Sequence, residues 1–136
     1  MNDDEFAQII RSMIAHEDGL RDQKLNWLLA SQGLLIAALG IAWGKEEFLV
    51  IGIAGIGLLF CISIGASLYT NTIAIRGLSA QWERRRPIDY SGPDAVGLRS
   101  AEITPSWMTK LYPWYILPVA LIVFWVLTLL KVTIGN

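Results

Sequence analysis

The single histidine of this sequence, His16, stands beside Glu17, Asp18 and Asp22, an acidic cluster that is the first place to look for metal or acid–base chemistry. A transition-metal site needs three or four ligands held in one geometry, commonly with a second His or a Cys. Here there is a single His, and the single Cys61 lies in a distant apolar run. No metal site is therefore expected, and with one cysteine no intramolecular disulfide can form. No Ser or Cys has a neighbouring base in a nucleophile arrangement, and no pair of carboxylates sits in a plausible pocket. The run GIAGIG from Gly52 to Gly57 is apolar throughout, without the strand–turn–helix setting that dinucleotide binding requires. The expectation is a protein that is not an enzyme and uses no cofactor.

The remaining chemistry lies in polar or small residues set among apolar ones. Gln32 is the most polar side chain well inside the first apolar stretch, and Ser63 and Ser67 occur in the second. If the two stretches pair antiparallel, Gln32 is expected near residue 64. There an amide–hydroxyl contact with Ser63 or Ser67 would be worth about 1 kcal/mol or less. The alternative use of this polar line is the wall of a pore. Small residues recur at close to four-residue spacing: Gly33, Ala37, Gly40 and Gly44 in the first stretch, and Gly57, Cys61 and Gly65 in the second. Such rows let helix backbones approach closely in lipid, where the hydrophobic drive is absent. One row is expected to serve contacts within the chain and the other contacts between copies.

Three stretches position these residues: LNWLLASQGLLIAALGIAW, FLVIGIAGIGLLFCISIGASLY and LYPWYILPVALIVFWVLTLLKV. Each is near the roughly 20 residues a helix needs to cross about 30 Å of hydrocarbon. Hydrophobic residues make up 54% of the 136 and mean hydropathy is +0.46. The fold class is thus expected to be an all-α membrane protein: spans over 25–43 and 48–72, the second continuing to about 86, an irregular connection over 87–106, and a third span over 111–132. One domain is expected, because too little chain lies outside the spans to fold alone. The acidic N-terminus lacks a basic n-region, so a removable signal peptide is not expected.

Residues 3–24 read as an amphipathic cytoplasmic helix. Phe6, Met13, Leu20, Trp27, Leu34 and Ile41 recur every seven residues, which favours one helix continuing into the first span. Asp18-Gly19 is the place where it would break, the first part then lying on the membrane surface. Pro113 and Pro118 fall in the first turns of the third span, where proline is tolerated.

Nine Lys and Arg residues lie before the first stretch or between the second and third, and only Lys45 and Lys131 lie on the other side. This split places the N-terminus and the 76–110 segment in the cytoplasm, with the Gly44–Glu47 turn and the C-terminus outside a bacterial inner membrane. Arg76, Arg84, Arg85 and Arg86 are expected to pair with the His16–Asp22 acids, or to meet lipid headgroups or a protein partner. A net charge of −1 does not suit nucleic acid. No ionisable residue lies mid-span, which argues against proton relays, voltage sensors and ion-coupled carriers. The remaining expectations are a self-assembling homo-oligomer with channel or pore character, or an anchor that recruits a soluble partner through Trp82, Tyr90 and Trp107. The layout, a tight hairpin with long cytoplasmic extensions, is similar to small hairpin membrane effectors of bacterial defence systems. The third span departs from their two-helix pattern.

Overall fold

The computed structural model describes residues 3–86 and 112–134. Every regular element among them is an α-helix: α1 (Asp3–Ala42), α2 (Glu47–Arg85) and α3 (Pro113–Ile134). Each is long and apolar enough to cross a membrane. The 87–106 connection, which contains Tyr90, lies outside the described residues, as does Trp107.

α1 has 40 residues and α2 has 39, so at 1.5 Å per residue each is about 60 Å long, twice the hydrocarbon thickness. α3, with 22 residues, is only about 33 Å long. Residues 3–24 do not form a separate amphipathic helix. They are the first half of α1, which passes through Asp18-Gly19 without interruption. The glycine costs about 1 kcal/mol in a helix interior, and packing on both sides outweighs it: Ile10, Ile14 and Leu28 are all buried.

A tight turn joins α1 to α2. The Lys45 amide donates to Ala42 O at 3.1 Å, and Gly44 adopts φ +75°, a backbone conformation that any other residue would adopt only with strain. α2 ends at Arg86, whose amide donates to Trp82 O at 2.8 Å and whose backbone is extended. Pro87 follows, and a residue before proline is pushed out of the helical region.

The α2 seam follows a strict four-three pattern: Val50, Ala54, Gly57, Cys61, Ile64, Leu68, Asn71, Ile75, Leu78 and Trp82 are all buried or half-buried. That is the spacing of knobs-into-holes packing along a left-handed pair. On α1 the inward heptad positions are Ala7, Ile14, Arg21, Leu28, Leu35 and Ala42. The sequence periodicity at Phe6, Met13, Trp27, Leu34 and Ile41 correctly implies a continuous helix but marks a different face. Leu34 is 75% exposed and Trp27 67%. The reason is the solvent: in lipid, large apolar side chains lose nothing by facing outward, and small or polar ones turn inward to pack and bond.

Candidate functional site

The most buried polar arrangement lies midway along the membrane part, where all three helices meet. Gln32, 2% exposed, donates from Nε2 to the Gly57 carbonyl at 3.3 Å. Its Oε1 accepts from Trp125 Nε1 at 2.5 Å. One amide thus joins α1 to the backbone of α2 and to an indole of α3. Trp125, wholly buried, fits because Gly57 has no side chain. A Cβ at position 57 would lie 2.7 Å from both Nε1 and Cζ2 of the ring. Four residues further along α2, Cys61 is buried in the same core, and four beyond that Gly65 approaches the Pro118 ring, with a Cβ position 3.4 Å from Pro118 Cβ. The Gly57–Cys61–Gly65 row is therefore the docking face for α3.

The expected Gln32–Ser63–Ser67 line does not form. Ser63 faces outward and Ser67 is half-buried, and Gln32 is level with residue 57. The turn sets this register. Its midpoint lies between Gly44 and Lys45, and reflecting residue 32 through that point gives 57. Ser63 is six residues beyond, about 9 Å along the helix.

A second polar cluster marks the end of the three-helix part. Asn71, 4% exposed, donates from Nδ2 to Glu17 Oε2 at 2.9 Å and to the Glu17 carbonyl at 3.3 Å. Its Oδ1 accepts from Lys24 Nζ. Arg21 pairs with Asp18 at 3.3 Å and lies 4.5 Å above the Trp114 ring of α3. The amide of Asn71 thus satisfies a carboxylate and an ammonium together, allowing charged side chains to occupy the seam.

Beyond this level α1 and α2 continue as a pair without α3. Trp82, expected as an exposed contact for a soluble partner, is instead 1% exposed: it packs with Ala7, Ile10 and Ile14 and stacks on Phe6 at 6.1 Å between centroids. Arg85 lies 5.8 Å from the same Phe6 ring. The register places Arg84, Arg85 and Arg86 beside residues 3–5, about 20 Å from Glu17. The expected pairing of this triplet with the His16–Asp22 acids is therefore corrected: Glu17 serves Asn71 and Asp18 serves Arg21. Arg76 is exposed and level with Met13.

The other small-residue row has no partner among the described residues. Gly33, Ala37, Gly40 and Gly44 are all exposed, and a Cβ at any of the three glycines would meet nothing within 4 Å. Two features of the site were absent from the sequence reading. Trp125 had one available signal: aromatic rings of membrane helices collect at the interfaces, whereas this one lies mid-span. Asn71 had none, since a polar residue near an interface is ordinary. Compared with family models, curated proteins and solved structures, the chain matches none.

Proposed function

We propose that this is a self-associating membrane anchor, three spans holding a two-helix stalk in the cytoplasm, where the stalk recruits a soluble protein. The observation that carries the reading is the length of the α1–α2 pair. It continues past the reach of α3 with its own sealed core around Trp82, and crossing a bilayer requires no such extension. The Lys and Arg distribution supports an orientation with the stalk and N-terminus inside and the hairpin turn and C-terminus outside, in what we take to be a bacterial inner membrane. Self-association uses the open row from Gly33 to Gly44, the small-residue surface that supports close helix contact in lipid.

Cysteine cross-linking in native-like membranes tests the association. Cys61 is wholly buried, so an introduced thiol reports alone. Ala37→Cys should give disulfide-linked dimers on mild oxidation, whereas Ile56→Cys, on the exposed face of α2, should not. Equal cross-linking at both positions, or none at Ala37→Cys, would overturn it. Retrieval of a stoichiometric soluble protein by the full chain, lost on Arg76→Glu and Arg84→Glu together, tests the recruiting role.

A second reading, a pore-like homo-oligomer, is favoured by one observation. Ser63, Ser67 and Thr70 form an outward hydroxyl row on α2, exposed or half-exposed in a lipid-facing region. Ion flux from proteoliposomes that falls on Ser63→Leu would support it, and absence of flux at densities where cross-linking is complete would remove it.

A further inference from the structure

At the end of the bundle away from the stalk, the α1–α2 turn and the last turns of α3 line an open cavity of about 400 Å³. Its size falls within the roughly 300–1,000 Å³ of small-molecule sites. Two cations, Lys45 and Lys131, and two carboxylates, Glu46 and Glu47, line it, and Val50 and Val132 make its apolar side. Lys131 Nζ is held 5.1 Å from the centroid of the Trp43 ring, a cation–π contact that fixes the ammonium at the cavity wall. Glu46 occupies the N-cap of α2 yet makes no capping bond with its side chain. The first-turn amides of α2 lack intrahelical partners there, and the positive end of the helix dipole faces the same space.

We propose that this cavity binds the headgroup of a phospholipid carrying both a phosphate and a primary ammonium, an aminoethyl phosphodiester. The phosphate lies between Lys45 and Lys131 at the start of α2, and the ammonium donates to Glu46 and Glu47. Val50 and Val132 receive the glycerol end, from which the acyl chains pass into the bilayer. The balance of charge selects this class. Two cations and two carboxylates sum to zero, so a purely anionic headgroup would bring its charge against Glu46 and Glu47 without compensation. A choline headgroup has no N–H to donate to them. Trp43 is an interfacial aromatic, which sets the cavity at headgroup depth.

The test is native mass spectrometry of the delipidated full chain, titrated with lipids of identical acyl chains bearing ethanolamine, glycerol or choline headgroups, and with soluble glycerophosphoethanolamine. The ethanolamine lipid should bind about tenfold tighter than the other two lipids and well above the soluble headgroup. Lys131→Gln and Glu46→Gln should each weaken it about fivefold, the scale of one partly exposed charge contact. Both positions are exposed, and an unchanged unfolding temperature confirms that the variants fold. If Lys131→Gln lowers that temperature, Lys45→Gln on the turn repeats the measurement. Equal or tighter binding of the glycerol or choline lipid overturns the proposal, as does unchanged binding by the variants. Soluble headgroup binding as tight as the lipid would overturn the lipid as its source.

Discussion

Replacing Gly57 by alanine adds one methyl group where the Trp125 ring of α3 lies against α2. Its Cβ would lie 2.7 Å from Nε1 and Cζ2 of Trp125, far inside the roughly 3.5–4.0 Å at which carbon contacts are attractive. The indole cannot rotate away without leaving Gln32, whose Oε1 it meets at 2.5 Å, so α3 must move as a body. Gly52 lies in the same helix, exposed and with open space around a Cβ, and Gly52→Ala therefore measures the helix-propensity change alone. Subtracting it isolates the clash, expected at about 1–3 kcal/mol, the range for overpacking a tight core. Gly65→Ala, with its Cβ at an ordinary 3.4 Å from Pro118, should fall between the two. Steric trapping in bicelles would give the three unfolding free energies. In a Trp125→Leu background the penalty of Gly57→Ala should largely vanish, a non-additivity well above the 0.3–0.5 kcal/mol scatter of independent sites. If Gly57→Ala and Gly52→Ala agree within that scatter in the wild-type background, the close approach of α3 to Gly57 is wrong.

Gln32→Leu and Trp125→Phe should each destabilise by about 1 kcal/mol, with a double-mutant coupling of about 0.6–1.7 kcal/mol read by the same assay. Asn71→Ala removes the group that satisfies both Glu17 and Lys24 and should cost about 1–3 kcal/mol, with faster amide exchange first in α1 near Glu17. Trp82→Ala should cost the stalk about 3–5 kcal/mol. Hydrogen exchange would then rise over residues 3–16 and 75–85 while amides around Trp125 stay protected, and uniform loss of protection would show that stalk and bundle do not separate. Gly44→Ala should destabilise by about 1 kcal/mol, since alanine at φ +75° is strained, whereas Gly77→Ala in open space should not.

Helix number, length and the tight turn were legible because hydropathy, Pro87 and Gly44 each act locally. Continuity of α1 was legible too, from the seven-residue recurrence starting at Phe6. The repeat does not mark the seam, for a physical reason. A repeat of large apolar residues marks the core in water, but along the span it marks the lipid side, and the true seam is interrupted by Glu17, Arg21 and Lys24. Those charges become readable as seam residues only once Asn71 and Trp114 are known to meet them. The polarity of Gln32 implies a buried group, but its level on α2 follows from the turn midpoint between Gly44 and Lys45, which sets it opposite Gly57 and about two turns from Ser63. The docking of α3 could not be read at all, since its decisive residue, Trp125, pairs with a glycine and an amide from two different helices.

That composite partner imposes an order of events. The acceptor offered to Trp125 is the Oε1 of an amide whose other end is held by the Gly57 carbonyl, so it is aimed correctly only after α1 and α2 have closed on each other. The third helix, emerging last from the ribosome, finds a finished receptor if the hairpin has paired in register and an empty one if it has slipped. A single indole proton thereby inspects the assembly of the two helices that preceded it.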